Sequence, residues 1–214
     1  ELDSVPGGFG LLSCLSSLYG KNHQPLIGHE NGGIPSLFYN MIEAVAGSPL
    51  CTLAIVVSDE AKDYLPEMEY LKDILRLKGL PVYVAHPKDL RFKEEVIFLP
   101  VGEKEVQIDV IYRFFELFDL KNIAKSELLM YSNKKGKVKI TPPFKPYLEE
   151  KLSFALFHHP SLISLWKNTL GSETFATLSH LIPKTWILDN RQLPPYGVIP
   201  GLCIKDCGVR EWKE

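Results

Sequence analysis

An α/β fold is predicted for this chain of 214 residues, and three consecutive segments predict it. Residues 50–57 are an unbroken apolar run of strand length, as expected for a parallel strand that is buried on both faces. Residues 60–78 carry apolar side chains at helical spacing, and residues 81–85 form a second apolar strand. Strand, helix and strand in this order make a βαβ unit, whose two strands are parallel and whose connection is right-handed.

Two helices are predicted before this unit. The first covers residues 9–19, and the second begins at Pro35, which suits a first helical turn, and ends near Gly47. Residues 22–33 are rich in Gly, Asn and His and predict the loop between them. The apolar face of the first helix is formed by Leu11, Leu12, Leu15, Leu18 and Tyr19.

The long helix of the βαβ unit has a signal at each end. Ser58-Asp59 offers an N-cap, and Gly79 stands where a C′ residue is needed. Two further strands are predicted at residues 96–99 and 106–112. Arg113 follows the second of them directly, at the end of a strand where open α/β sheets place ligands.

The last third of the chain is predicted to be mostly helical. Helices are expected at residues 147–157, 161–170 and 173–181, and a final strand at residues 184–188. A segment rich in Pro and Gly and the start of a further helix follow. The predicted organisation is an N-terminal region of residues 1–49, a main domain of residues 50–190 and a linker of residues 191–214.

Composition excludes several classes of function. The net charge of −2 gives no overall field to attract nucleic acid or an anionic membrane, and no apolar run approaches the length of a membrane span. Four cysteines without a C-x-x-C pair favour reduced thiols over a zinc site. The chain lacks an initiator Met and a signal peptide, so we expect a piece of a larger cytoplasmic protein.

The most unusual stretch is the beginning of the chain. On a strand, Glu1 and Asp3 point to the same side, and such a pair of carboxylates suits a hard cation such as Mg²⁺. Gly7 and Gly8 then offer backbone N–H groups at a helix N-terminus, which attracts anions. The same residues are equally consistent with a strand edge, a tight turn and a capped helix.

In its order of motifs the chain resembles circularly permuted ATP-grasp proteins of the glutathionylspermidine synthase-like group, in the domain that precedes their ATP-binding unit. The resemblance covers nearly the whole chain, although each motif is short. It is carried by the acidic start and Gly turn, by Asp109-Val110-Ile111-Tyr112-Arg113, by Glu150-Lys151 and by Pro183-Lys184-Thr185-Trp186. The implied fold is a Rossmann-like pre-ATP-grasp sheet flanked by helices, with a helical C-terminal portion.

The resemblance implies a role for individual residues. Glu1 and Asp3 match the residues that hold Mg²⁺, although Asp3 stands where relatives have Asn. Val5 occupies the second acidic position of the family motif, so the metal site is expected to be altered. Arg113 matches a basic residue that faces the reaction centre, with Glu116 as a weaker candidate beside it. Lys151 matches a lysine that approaches the nucleotide phosphates.

The implied activity is an ATP-dependent carboxylate–amine ligase, whose substrates are ATP and a small carboxylate or amine. ATP and Mg²⁺ are expected in the intact protein and not on this chain alone, because nothing after Trp186 is long enough to form the second ATP-binding lobe. Two alternatives stay open. One is a Rossmann-like nucleotide-binding enzyme, which lacks its glycine fingerprint here. The other is a non-catalytic α/β ligand-binding or interaction module. A homodimer through the first helix is also expected.

Overall fold

The computed structural model describes residues 5–19, 33–148 and 150–187. They divide into two compact units: the first comprises the described residues up to Phe144, and the second begins at Lys145. The helices of the first unit are α1 (Phe9–Tyr19), α2 (Gly33–Ala46), α3 (Leu65–Leu77) and α4 (Ser126–Lys134). Its strands are β1 (Leu53–Val57), β2 (Val82–Ala85), β3 (Arg91–Lys93), β4 (Val96–Val101), β5 (Lys104–Gln107), β6 (Val110–Phe114) and β7 (Lys139–Thr141).

Four strands form a parallel sheet in the order β2-β1-β6-β7. Leu53 of β1 lies opposite Val82 of β2 on one side and Val110 of β6 on the other. Every residue of β1 is buried, which confirms the prediction of a parallel strand covered on both faces. Strands β3, β4 and β5 form a separate antiparallel sheet. The α/β prediction is confirmed at this level, as a mixed fold built around a parallel sheet.

Two apolar cores lie on opposite faces of the parallel sheet, because successive side chains of a strand alternate between its faces. On the first face, Tyr112 and Phe114 of β6 pack with residues of α2 and α3. On the second face, Ile111 and Phe115 pack with β4 and with Leu129 of α4. Sequence analysis places α1 and α2 in a separate region of residues 1–49, whereas the structure includes both helices in the first unit.

Helix α3 begins later than predicted. A short 3₁₀ helix, Lys62–Tyr64, precedes it, and Tyr64 is its N-cap. Pro66 lies in the first turn of α3, where its missing N–H loses no intrahelical hydrogen bond. Ser58 accepts a hydrogen bond from the Ala61 N–H at 3.3 Å, in the turn before this 3₁₀ helix, and does not cap α3. The C-terminal signal is confirmed, since Gly79 follows α3 with a φ of +82°.

The single strand predicted at residues 106–112 is wrong, because the structure divides it into β5 and β6. The chain leaves the antiparallel sheet at Ile108 and enters the centre of the parallel sheet after Asp109. There the Thr52 N–H donates to Oδ2 of Asp109 at 2.8 Å, and the Asp109 N–H donates to the Thr52 carbonyl at 3.0 Å. These bonds fix the start of β6 beside the start of β1.

The apolar residues predicted on one face of α1 are exposed in the structure. Leu11, Leu18 and Tyr19 are more than half exposed, at 56%, 67% and 65%, whereas Gly10 is buried. The helix contacts α3 along its glycine side, where the missing side chain permits a close backbone approach. A homodimer formed through the exposed leucines stays a prediction.

The second unit contains three helices, α5 (Leu152–His158), α6 (Ile163–Leu170) and α7 (Ser172–Leu181), which confirms the helical C-terminal portion. Phe157 joins them, with ring centroids 6.0 Å from Trp166 and 5.3 Å from Phe175. No strand forms at the described residues 184–187. Residue 188, the linker of residues 191–214 and the helix predicted within it lie outside the described residues. Within the described residues, no helix is both long and apolar enough to cross a membrane.

Cys51 is expected to resist alkylation in the folded protein. Its side chain is buried before β1, and burial raises the pKa of the thiol, so less reactive thiolate is present at any given pH. Half-buried Cys14 is the internal control. Iodoacetamide labelling followed by peptide mass spectrometry is expected to modify Cys14 at least about tenfold faster, with the difference lost in urea. Equal rates in the folded protein would contradict the burial of Cys51.

Candidate active site

The carboxyl ends of the four parallel strands meet at one edge of the sheet, and polar residues follow several of them. The chain forms β1, then β2 on one side of it, and later β6 and β7 on the other side. The order of strands therefore changes direction between β1 and β6. In open α/β sheets the crevice at such a change of direction is the usual ligand site. We call this region the carboxyl edge.

The glycine turn lies at the carboxyl edge on the first face of the sheet. The Tyr112 hydroxyl of β6 donates to the Pro6 carbonyl at 3.1 Å. A Cβ added to Gly7 would lie 2.9 Å from the Tyr64 ring, which in turn contacts Phe114, the last residue of β6, at a centroid distance of 5.3 Å. Side-chain contacts thus connect the turn to the C-terminal half of β6.

An internal carboxylate already lies at the N-terminus of α1. The Gly8 N–H donates to Oε1 of Glu67 on α3 at 2.6 Å. Sequence analysis predicts that this turn attracts an anion, and the structure provides one from the chain itself. A phosphate at the same amide would have to displace Glu67. The assignment of Gly7 and Gly8 to nucleotide binding stays a prediction.

Arg113 is completely buried on the second face of the sheet, opposite to the face of the glycine turn. Its guanidinium donates to three backbone carbonyls: Pro142 at 2.8 Å, Phe115 at 2.6 Å and Pro143 at 3.2 Å. The rings of Phe115 and Phe144 lie 5.9 and 5.8 Å from it. The side chain connects β6 to the segment after β7, and its catalytic role stays a prediction.

Sequence analysis misses a charged cluster at the carboxyl edge, where Asp59 follows β1 and His86 follows β2. Nδ1 of His86 accepts from the Lys88 N–H at 3.1 Å, so in the neutral ring the proton lies on Nε2, which is 3.2 Å from Oδ1 of Asp59. The Lys88 ammonium lies 3.1 Å from Oδ2. Lys88 and His86 together lower the pKa of Asp59. The available signal is that His86 directly follows an apolar strand and that Asp59 follows another after one intervening residue.

The remaining residues predicted for the site are Glu1, Asp3, Glu116 and Lys151. Glu1 and Asp3 lie outside the described residues, and so does the metal site predicted for them. Val5, at the second acidic position of the family motif, is buried in the first apolar core and cannot bind a cation. Lys151 is the exposed N-cap of α5 in the second unit. Glu116 is half-buried at the carboxyl edge. Among the described residues, no three His, Cys, Asp or Glu side chains converge on a metal position.

No protein-family model matches the chain, and no curated protein is significantly similar to it.

Proposed function

We propose that this chain is the pre-ATP-grasp part of an ATP-dependent carboxylate–amine ligase and provides the Mg²⁺ and acceptor-substrate side of the active site. The observation that carries the proposal is the parallel sheet, whose strand order changes direction between β1 and β6. The proposed fold is Rossmann-like, with the substrate crevice at the carboxyl edge. The family motifs Glu1-Leu2-Asp3, Asp109 to Arg113 and Glu150-Lys151 support the same assignment.

Each part of the chain has a defined task in this proposal. Glu1 and Asp3 are the oxygen ligands available for Mg²⁺, which would neutralise phosphate charge when bound. Since Val5 packs in the core, the site has fewer acidic ligands than the family motif provides. Tyr112 and Glu67 position the turn that follows these acids in the sequence, through their hydrogen bonds to Pro6 and Gly8. Lys151 contributes a positive charge for the nucleotide phosphates.

A non-catalytic ligand-binding module is the second candidate, and two contacts favour it. The Gly8 amide, predicted to bind phosphate, donates to Glu67, and the Arg113 guanidinium donates to three backbone carbonyls. Two of the groups predicted to act on ligand thus have partners inside the chain. A ligase turns over ATP, whereas a ligand-binding module does not. A turnover assay therefore distinguishes the two candidates.

Replacing Lys151 by alanine is expected to lower ATP-dependent turnover of the intact parent protein about tenfold or more, because one charge-assisted contact to phosphate is lost. The side chain is exposed, so the fold is expected to tolerate the change. ADP release with Mg·ATP is measured over a panel of small carboxylates and amines. Lys167→Ala removes another exposed lysine of the same unit, outside the family motifs, and is expected to retain full turnover.

The decisive comparison is Mg·ATP binding to the intact parent protein and to this chain alone, measured by calorimetry. We expect binding to the parent and much weaker binding to the chain. If the parent neither binds nor hydrolyses Mg·ATP, the ligase proposal is wrong and the ligand-binding module is the better assignment. Normal turnover in Lys151→Ala would contradict only the role of Lys151.

A further inference from the structure

A cleft of about 630 Å³ lies in the first unit, alongside β2. Strand β2 is at the edge of the parallel sheet, and both Tyr83 and Val84, which are neighbours in sequence, line the cleft. Residues 99–101 of β4 also line it. The volume is in the range of pockets that hold a small molecule.

The cleft is lined by five cationic side chains and by one carboxylate, that of Asp89. The cations come from separate segments of the chain, on α3, around β3 and before α4. Three of them also pair with carboxylates outside the lining: Lys72 with Glu69, Lys88 with Asp59 and Arg91 with Glu105. The cationic residues are Lys72, Arg76, Lys88, Arg91 and Lys125.

Two of these cations are held in place by contacts with other groups of the chain. Arg76 donates through Nε to the Val82 carbonyl at 2.7 Å and lies 4.4 Å from the centroid of the Tyr83 ring. Lys125 has a positive φ of 62° and donates to the carbonyls of Lys88, at 2.8 Å, and Leu90. An ammonium or guanidinium group has further N–H donors after such a contact. The positions of these charges are therefore fixed before any ligand arrives.

We propose that this cleft binds a small polyanion, a molecule with two or more closely spaced phosphate or carboxylate groups. Convergent Lys and Arg side chains are the chemistry that recognises such groups. A single anionic group would be smaller than the cleft and would leave most of the five cations without contact to the ligand. The inference does not depend on the ligase activity, because the cleft shares only Lys88 with the carboxyl-edge cluster.

The test is calorimetric titration of the chain with two probes, tripolyphosphate and citrate, which separate phosphate from carboxylate recognition. We expect saturable binding of at least one probe, weakened when NaCl rises from roughly 50 to roughly 200 mM, because salt screens charge attraction. The double variant Lys88→Ala/Arg91→Ala is expected to weaken that binding about tenfold or more. Its thermal unfolding is measured in parallel.

These two cations are chosen because their removal leaves no carboxylate without a partner. Asp59 retains His86, and Glu105 retains Lys93. The matched control is Lys104→Ala/Lys139→Ala, which removes two exposed lysines of the same unit outside the cleft and is expected to change binding less than about twofold. Equal weakening in the control would show attraction by overall charge and would overturn the proposal.

Two other outcomes also overturn it. One is the absence of saturable binding of both probes at low salt by the folded chain. The other is tight binding of a single-stranded RNA oligonucleotide without binding of either probe, which would identify a polymer groove instead of a small-molecule site.

Discussion

Arg113→Met is expected to lower the free energy of unfolding of the first unit by about 3–5 kcal/mol. The side chain is fully buried and its guanidinium donates to the carbonyls of Phe115, Pro142 and Pro143. Methionine fills much of the same volume but donates no hydrogen bond. Each buried carbonyl that loses its donor costs about 1–3 kcal/mol. Urea unfolding followed by circular dichroism measures the loss.

Two further variants separate stability from catalysis at this position. Arg91→Met changes an exposed arginine of the same unit and is expected to shift the free energy of unfolding by less than about 0.5 kcal/mol. Arg113→Lys keeps the charge with fewer donors and is expected to lie between methionine and the native residue. Native stability of the Arg113→Met chain, together with loss of ATP turnover when the same change is made in the intact parent protein, would contradict the structural role and support the catalytic one.

Gly10→Ala is expected to destabilise the first unit, although alanine is the better helix former. A Cβ at position 10 would lie 2.2 Å from the Glu67 carbonyl oxygen and 2.9 Å from its carbon, both backbone atoms of α3. Overpacking of this kind costs about 1–3 kcal/mol or more, against a gain in helix propensity of about 1 kcal/mol. We expect the clash to dominate, with a net loss of about 1–2 kcal/mol.

The control for Gly10→Ala is Ser17→Ala, on the exposed side of the same helix. It gains helix propensity without a new contact and is expected to be neutral or slightly stabilising. Thermal unfolding of both variants, compared with the native chain, gives the difference. A stabilised Gly10→Ala protein would show that α1 does not approach α3 as closely as the structure describes.

The fold could be predicted where local pattern and tertiary burial agree. The run within β1 is apolar because both faces of that strand are covered. Gly79 follows α3 because the backbone there has a positive φ, which glycine adopts without strain. Strands β3 and β7 have only three residues each and helix α4 has nine, so their sequence signals are weak. The division at Asp109 depends on a contact with Thr52, far away in sequence, which no local pattern contains.

The candidate site could be predicted less well for a related reason. A glycine turn and an arginine after a strand are visible in the sequence, but the groups that they bond are not. Glu67 lies on another helix, and Pro142 belongs to a segment 29 residues after Arg113. His86 and Asp59 come together only because β1 and β2 are neighbours in the sheet. The face of the sheet on which each side chain lies requires the register of the strands.

The charged side chains at the edges of both sheets also bear on whether strands of other molecules can add to these sheets. Arg91 and Lys93 of β3 reach across the antiparallel sheet to Glu105 of β5, and Arg76 holds a carbonyl of the edge strand β2. Charges along an edge oppose the addition of a strand from another molecule. We therefore expect these residues to help keep the chain soluble at high concentration and to discourage fibrils built by strand addition.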